Sequence, residues 1–389
     1  MAELYKLPDG WEWKKLGDNS VCKLIMGQSP SSDTYNSNGN GMAFFQGKKE
    51  FGEIYPTVEQ YTTEPKKIAE IGDILLSVRA PVGPTNIANI KCCIGRGLGA
   101  IRPNKSNTLT NYLLYFFRNF ELEISNKGKG STFSAITKKE LEETDIPLPP
   151  LKEQKRIVAK LDILFAKIDK AIALHQKNCE EADIFMASVL NDVFVELEEK
   201  YEKKQLNEIV IFGGKNISTL EYPNLIYFSL EDIETQTGKI LNYKTVNESG
   251  VKGTAVSFDD NVVLYSKLRP YLNKVIVPNL EGCATTELVV LKPKDKLDKY
   301  FLASYLRSSN IVNFLNNDSM GAKMPRTNMK TFRNLDIPLP SLKAQQKVVS
   351  YLDEISNKIE KIKQIQKEKM QSLKELKASI LDKAFKGEL

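Results

Sequence analysis

The chain has 389 residues, 41% of them hydrophobic and 27% charged, and its formal net charge of +6 at pH 7 permits a nucleic-acid partner without requiring one. The length predicts about two to three domains, and the lack of any apolar run of about 18 residues excludes a membrane-spanning helix. Five cysteines without Cys-x-x-Cys spacing, and an N-terminus unlike a signal peptide, predict reduced thiols in a cytoplasmic protein.

The first 145 residues have strand-like patterns and polar loops, which are typical of an α/β domain. One strand-like run, residues 73–79, ends at Arg79. A turn-rich loop at residues 28–41 is followed by two lysines, and a Gly-led loop spans residues 128–134. Side chains of these types contact DNA phosphates and base edges; ordinary surface loops are the alternative. The candidates for DNA binding in this region are Gln28, Tyr35, Lys48, Lys49, Arg79, Lys129, Ser131 and Thr132.

Residues 146–200 predict one long helix. A proline-rich segment precedes Leu151, and neither Gly nor Pro recurs before Gly213, as expected for a helix that starts at a proline and then continues unbroken. Apolar residues recur in alternating steps of three and four, the pattern of a coiled-coil seam. An unbroken helix from Lys152 to Glu199 would be about 70 Å long. The seam includes Val158, Leu161, Phe165, Ile168 and Ile172.

Residues 201–336 repeat the plan of the first region. A strand-like run at residues 261–269 ends at Arg269, just before a proline. Because Arg79 also ends a strand near a proline, the two arginines are predicted to occupy the same place in two divergent domains. DNA binding is the hypothesis for each, and a structural ion pair is the alternative. The candidates in this region are Lys267, Arg269, Tyr271, Lys323 and Arg326.

Residues 337–389 repeat the helical segment. At a constant offset of 191, residues 337–388 match residues 146–197 without a gap, and 17 of the 52 aligned positions are identical. A gapless match of this length indicates a rigid element, because loops tolerate insertions and deletions. The seam of this second helix is Leu352, Ile355, Ile359, Ile362, Leu373 and Ile380.

The two long helices are predicted to pack against each other. A helix with one apolar stripe must bury that stripe, and the second copy is the partner available within the chain. An antiparallel intramolecular coiled coil would place the domains at opposite ends, related by an approximate two-fold axis; a parallel intermolecular coiled coil is the alternative. The predicted fold is α+β, with two α/β domains (residues 1–145 and 201–336) separated by two long helices (residues 146–200 and 337–389).

The motifs predict a non-catalytic protein. The one histidine, His175, lies in the helical seam, which makes a Ser-His-Asp triad implausible. His175 and Cys179 lack a third ligand, so packing rather than metal binding is predicted and no metal site is expected. Residues 95–99 are glycine-rich but have the wrong spacing for a dinucleotide fingerprint, and no P-loop or amino-methyltransferase motif is present.

Five segments, taken in order, resemble recurrent phrases of one family. They are LPDGWEWKKLG (residues 7–17), GDILLSVRAPVG (72–83), CCIGRG (92–97), IPLPPLKEQKRIV (146–158) and ASILDKAFKGEL (378–389). With the 191-residue duplication, the chain resembles the specificity subunit of type I restriction–modification systems over essentially its whole length.

The resemblance implies a function and a set of partners. Each variable region would be a target recognition domain for one half of a split target in double-stranded DNA, with the half-sites on opposite strands and the helices fixing the spacer. The helices would dock two adenine-N6 methyltransferase subunits, through which two restriction subunits would join. The chain itself would bind no cofactor, since S-adenosylmethionine, ATP and Mg would belong to the partner subunits. The alternatives are a DNA-binding scaffold without a methyltransferase partner, and a recognition fragment split from a fused enzyme.

Overall fold

The computed structural model describes residues 5–127, 135–321 and 323–389. The chain divides into two compact units. Unit 1 comprises Met1–His175 and Glu368–Leu389, and unit 2 comprises Gln176–Lys367. Both divisions fall within long helices, so each unit contains one α/β region and a part of each helix.

Unit 1 has a four-stranded antiparallel sheet (β2-β10-β7-β8), a five-stranded sheet (β3-β5-β4-β9-β6) and a two-stranded pair (β1-β11). Its strands are β1 (Glu12–Lys15), β2 (Cys22–Met26), β3 (Tyr35–Asn36), β4 (Met42–Phe45), β5 (Tyr61–Thr62), β6 (Ile68–Ala69), β7 (Ile74–Ser77), β8 (Thr85–Ile87), β9 (Cys92–Ile94), β10 (Leu98–Pro103) and β11 (Asp145–Leu148). Its helices are α1 (Thr110–Lys127), α2 (Lys138–Glu142) and the start of α3 (Leu151–Lys200).

Unit 2 repeats this arrangement with sheets β13-β21-β18-β19, β14-β17-β20-β15-β16 and β12-β22. Its strands are β12 (Lys203–Gln205), β13 (Val210–Phe212), β14 (Asn216–Ser218), β15 (Ile226–Phe228), β16 (Lys244–Thr245), β17 (Thr254–Phe258), β18 (Val263–Ser266), β19 (Val275–Ile276), β20 (Gly282–Ala284), β21 (Leu288–Pro293) and β22 (Asp336–Pro338). Its helices are α4 (Leu206–Ile209), α5 (Val246–Ser249), α6 (Lys299–Arg307), α7 (Ser309–Asn317), α8 (Met329–Arg333) and the start of α9 (Leu342–Lys386).

The two five-stranded sheets share a four-stranded centre and differ in their fifth strand. In both, one parallel pair lies at the centre, β4 with β9 and β15 with β20. The fifth strand, β3, extends unit 1 beyond β5, whereas β14 extends unit 2 beyond β17 at the opposite edge. The two predicted α/β regions therefore share one strand arrangement and differ in one edge strand. The predicted fold class is confirmed.

Each four-stranded sheet lies between two apolar cores. In unit 1, Ile74 and Leu76 of β7 face the core formed with α1 and the long helices, and Leu75 faces the core shared with the five-stranded sheet. In unit 2, Val263 and Leu264 of β18 divide in the same way. A strand covered on both faces needs apolar residues at every position, which explains the continuous apolar runs that mark β7 and β18 in the sequence.

Within each unit, the segments of α3 and α9 run antiparallel. In unit 1, Lys377 forms an ion pair with Asp169 at 2.7 Å, and Arg156 donates to the Leu389 carbonyl at 2.7 Å. In unit 2, Lys363 forms an ion pair with Asp183 at 2.7 Å. A position later in α3 thus faces an earlier position in α9, so the predicted antiparallel pairing is confirmed.

The seam of α3 is buried as predicted, but one seam residue of α9 is not. In α3, the buried seam residues are Val158, Leu161, Phe165 and Ile168, and Ile172 packs at the edge of the unit 1 core. In α9, Leu352 and Ile359 are buried, and Ile355, Leu373 and Ile380 are half-buried. Ile362 is 48% exposed and lines a groove with Ala182 and Phe185 of α3. The side chain of the next residue, Lys363, is only 14% exposed. A lysine stem covers apolar surface while its ammonium reaches a carboxylate.

A buried glutamine joins the start of each long helix to its α/β region. In unit 1, Gln154 accepts a hydrogen bond from the Leu109 N–H and donates to the carbonyls of Asn107 and Pro149. Its equivalent in unit 2, Gln345, makes the same three bonds: it accepts from the Asp298 N–H and donates to the carbonyls of Lys296 and Pro340. Both side chains are completely buried. The two helices therefore start from matched joints.

A buried phenylalanine fixes the end of each long helix. Near the end of α3, Phe194 makes edge contacts with Phe301 and Tyr305 of α6, at centroid distances of 5.3 and 5.2 Å. Near the end of α9, its equivalent Phe385 contacts Tyr112 and Phe116 of α1 at 5.3 and 5.7 Å. Each unit therefore receives the start of one long helix and the end of the other.

Two negative findings apply to the described ranges. Among residues 5–127, 135–321 and 323–389, none of the helices combines the length and the hydropathy needed to cross a bilayer. In the same ranges no three His, Cys, Asp or Glu side chains gather where they could hold a metal ion. The Cys179 side chain is buried in the seam.

Candidate nucleic-acid interface

Three separate segments of unit 1 meet where β4 and β9 end. The Gly95 N–H donates to the Phe45 carbonyl at 2.8 Å, and the Gln28 N–H donates to the Ile94 carbonyl at 3.0 Å. The meeting depends on Gly97, because a Cβ there would overlap the Gln46 carbonyl oxygen. We call this meeting point of residues 27–29, 45–47 and 95–97 junction 1.

Junction 1 presents three exposed side chains: Gln28, Gln46 and Arg96. The backbone of Arg96 is fixed because its N–H donates to Ser29 Oγ at 3.1 Å. Its guanidinium forms no ion pair within the described part of the chain. Arginine binds guanine and glutamine binds adenine through paired hydrogen bonds in the major groove. This set of side chains therefore suits base recognition.

Two other candidates in unit 1 are already engaged within the protein. The Tyr35 hydroxyl donates to the Pro30 carbonyl at 2.9 Å, and its ring packs on Phe44. Lys49 forms an ion pair with Glu59 at 2.9 Å. These contacts give both side chains structural partners, which makes them weaker candidates for DNA binding.

The remaining candidates of unit 1 are exposed or lie outside the described residues. Lys48 and Arg79 are exposed. Burial raises the pKa of the Glu121 carboxyl group, and the nearby charge of Lys48 partly opposes this increase. The candidates Lys129, Ser131 and Thr132 fall outside the described residues.

In unit 2 the segment after β18 contacts Pro325, and Met320 pairs with Arg326. The Arg269 N–H donates to the Pro325 carbonyl at 2.7 Å, and Met320 and Arg326 exchange backbone hydrogen bonds at 2.8 and 2.9 Å. The side chain of Lys323, which lies between Met320 and Arg326 in the sequence, is exposed. Arg326 is paired with Glu287 at 2.9 Å, which neutralises part of its charge.

Arg269 has an unusual environment. Its backbone is left-handed, with φ of 51°, and its Nε is buried without a hydrogen-bond acceptor in the described part of the chain. A polar atom in this state favours a ligand that can accept its hydrogen. Beside it, Tyr271 is 44% exposed, and its carbonyl accepts a hydrogen bond from Gln236.

The predicted equivalence of Arg79 and Arg269 is wrong by one residue. The Ser77 hydroxyl donates to the Arg79 carbonyl, whereas the equivalent Ser266 hydroxyl donates to the Leu268 carbonyl. Arg79 therefore corresponds to Leu268. The error arose from counting back from the proline, since Ala80 adds one residue between the arginine and the proline in unit 1.

Comparison with known proteins decides the family. Residues 8–178 and 198–369 match the family model described as type I restriction modification DNA specificity domain, so the matches cover most of the chain in two copies. The chain belongs to this family. The two matched segments correspond to the two α/β regions and the helical segments that follow them.

Curated members of the family include several similar proteins. A putative type I restriction enzyme MjaX specificity subunit of Methanocaldococcus jannaschii is 44% identical over 190 residues, which are 49% of this chain and 44% of that protein. The type I restriction enzyme EcoDI specificity subunit of Escherichia coli is 26% identical over 313 residues, covering 72% of this chain and 70% of that protein. The chain thus matches under half the length of the MjaX protein. The predicted resemblance to specificity subunits, which are non-catalytic, is confirmed.

Solved structures of the family share the fold. A chain from a study of complex assembly and conformational transition in the type I R-M system superimposes with a TM-score of 0.73, at 24% identity, over 99% of this chain and 100% of that one. The HsdS subunit of Thermoanaerobacter tengcongensis gives a TM-score of 0.55 at 24% identity, over 100% of this chain and 99% of that one.

Sequence reasoning missed two residues at junction 1 of this family member. Gln46 and Arg96 were not predicted, because the parallel pairing of β4 with β9 brings them together across about 50 residues. The sequence feature that could have indicated Arg96 is its position between Gly95 and Gly97. This glycine-rich segment was considered only as a dinucleotide-binding motif, whose spacing it does not match. An exposed arginine held by glycines at a strand end is typical of a binding loop.

Proposed function

We propose that the chain is a DNA-recognition subunit in which unit 1 and unit 2 each bind one half of a split target. The duplicated plan carries this proposal. Each unit holds exposed polar and cationic side chains on loops fixed by strand ends, Arg96 in unit 1 and Lys323 in unit 2 among them. The α/β regions differ in their loops while the helical joints match. This is expected for two recognition domains that bind different DNA sequences and share one helical scaffold.

The paired helices are proposed to fix the number of base pairs between the half-sites. Their matched starts at Gln154 and Gln345, and their matched ends at Phe194 and Phe385, make the length of each helix a fixed quantity. A base step of DNA rises by about 3.4 Å and a helical residue by about 1.5 Å, so helix length converts directly into spacer length.

The proposed partners supply the chemistry. Two methyltransferase subunits would bring S-adenosylmethionine and methylate one adenine N6 in each half-site. Two restriction subunits with ATP and Mg would join through them. This chain contributes recognition and positioning.

Mapping of methylated adenine tests this function. The chain would be expressed with a methyltransferase subunit of a type I system encoded beside it, in a host without adenine methylation, and N6-methyladenine mapped by long-read sequencing. A split motif with one methylated adenine on each strand is expected. If the complex assembles and no methylation is found, the chain is a DNA-binding scaffold that lacks a methyltransferase function.

A further inference from the structure

A cleft of about 270 Å³ opens in unit 2 between the end of β13, the residue after β18 and helix α8. One wall is the Gly213–Gly214 backbone, which has no side chains to fill the space. The other walls include Lys267, Thr286 and Arg333. No Asp or Glu is among the lining residues, all of which belong to the described part of unit 2.

The two cations of this cleft lack a carboxylate partner. Within the described ranges, neither Lys267 nor Arg333 forms an ion pair. Arg333 is held with its guanidinium carbon 4.5 Å from the centre of the Phe212 ring, which orients the group without neutralising its charge. Lys267 is half-buried. Two cations that share one concave, carboxylate-free surface attract an anion.

The fold of the family does not require these cations, because the corresponding positions of unit 1 lack them. Lys267 follows Ser266 as Val78 follows Ser77, and Arg333 occupies the position in α8 that Glu142 occupies in α2. Glu142 is paired with Lys138 at 2.8 Å. The equivalent positions in unit 1 are thus apolar and acidic, and the cationic pair is particular to unit 2.

We propose that this cleft binds one phosphate group of the DNA backbone beside the half-site that unit 2 recognises. Lysine, arginine and a threonine hydroxyl are common phosphate partners in protein–DNA complexes. The volume is small for an organic ligand, for which about 300 to 1,000 Å³ is typical, and suits a phosphate with its sugar. The proposal rests on the proposed function, and it adds a fixed contact that sets the register of unit 2 on the duplex.

Salt dependence of DNA binding tests the proposal in the full-length chain. The variants are Lys267→Gln, Arg333→Gln and Arg333→Lys, with Lys204→Gln as a matched control, because Lys204 is an exposed lysine of unit 2 paired with Glu202. Each glutamine substitution in the cleft should reduce the slope of log K against log salt by about one, equally on target and non-target DNA. Arg333→Lys should restore the slope, and the control should leave it unchanged. An unchanged slope in both cleft variants would overturn the proposal.

Neutral phosphates then locate the contact. Methylphosphonate would replace each phosphate of the unit 2 half-site in turn. At one position the replacement should weaken DNA binding by the wild-type chain. At that position it should not further weaken DNA binding by Lys267→Gln or Arg333→Gln. If inorganic phosphate binds wild type and not the variants while no DNA position shows this coupling, the cleft holds a free anion and the proposal is wrong. If the wild-type chain does not prefer duplexes that contain the motif found by methylation mapping, the proposed function is refuted. If it prefers them but the coupling is absent, only the phosphate site is refuted.

Discussion

Gln154 and Gln345 each bond three main-chain groups with one buried side chain. An amide has both donors and an acceptor, so a single residue can bond two carbonyls and one N–H. No apolar side chain can replace it, because buried backbone groups left without partners cost about 1–3 kcal/mol each.

We expect Gln154→Leu and Gln345→Leu to destabilise the protein by about 3 kcal/mol each, since each removes three hydrogen bonds and leaves the buried carbonyl of Pro149 or Pro340 without that partner. Thermal unfolding would measure the effect. The control is Gln176→Leu, an exposed glutamine of α3, which should change the unfolding temperature little. Equal effects of all three substitutions would show that the buried hydrogen bonds do not stabilise the joint.

Arg96→Ala should weaken binding to the target by about 1–3 kcal/mol, or roughly five- to 150-fold, and relax specificity at one base pair of the unit 1 half-site. The reason is loss of a paired hydrogen bond to a base. Binding to a panel of duplexes altered at single positions measures this. Lys49→Ala serves as the control, because Lys49 is already paired with Glu59. A uniform loss on all duplexes would assign Arg96 to the phosphate backbone instead.

At this scale the sequence predicted residue types better than residue partners. Gln28 was predicted from its polar loop, and it lies at junction 1. Gln46 and Arg96 were not, because their meeting depends on strand pairing that no local pattern encodes. Arg269 was predicted, but its left-handed backbone and its buried Nε could not be predicted from a local pattern.

Among the elements, α3 and α9 are tied at both ends to α/β regions. The aromatic contacts at their ends differ in partner: Phe194 packs on α6 and Phe385 on α1. Each contact stabilises one unit, so its loss should destabilise that unit and the helix that it contacts.

Phe194→Ala and Phe385→Ala should each cost about 3–5 kcal/mol, because a buried ring is replaced by a cavity. Hydrogen exchange should show lost protection in α6 for Phe194→Ala and in α1 for Phe385→Ala. Phe185→Ala, at a position of α3 that is 57% exposed, is the control. If both core substitutions open the same helix, the two aromatic contacts do not act separately.

The seam of α9 gives a second test at this scale. Ile359→Gln should destabilise the protein by about 2–4 kcal/mol, since it buries an amide without partners. Ile362→Gln should change stability by about 0.5 kcal/mol or less, as surface substitutions do. Denaturant unfolding of the two variants checks this, and the reverse order would show that Ile362 contributes more to the seam than Ile359.

The periodicity of α3 sufficed to predict its seam because every position in the row except His175 is apolar or small. In α9 the same pattern predicted Ile362, which is 48% exposed in a groove beside Ala182 and Phe185, and it did not predict Lys363, whose side chain is 14% exposed. A pattern that counts only apolar residues overlooks a lysine whose stem is buried.

At the scale of the whole molecule, two units of one plan are built from a duplicated sequence. The four central strands of each five-stranded sheet agree, and the border strands β3 and β14 do not. The duplication was visible in the helices at a constant offset of 191 residues, and in the α/β regions only as matching strand-like runs before a proline. The strand order shows how far the common plan of the α/β regions extends.

Insertion of four residues into both helices, after Ala171 and after Glu375, should lengthen the spacer of the target by about two base pairs, because four helical residues add about 6 Å. The ion pair of Asp169 with Lys377 shows that these positions lie near each other across the seam. Methylation mapping measures the spacer. A control insertion after Gly39, in a loop of unit 1, should leave it unchanged. An unchanged spacer in a helix-extended, assembled protein would show that the helices do not set it.

The glutamine joints have a consequence for how such proteins diversify. All three groups bonded by Gln154, and all three bonded by Gln345, are main-chain atoms. Main-chain atoms are the same in every amino acid, so substitutions in the adjoining α/β region leave the joint intact if its backbone path is kept. Recombination could therefore graft one region in place of another without compensating mutations in the helix, and new target sequences could arise in a single genetic exchange.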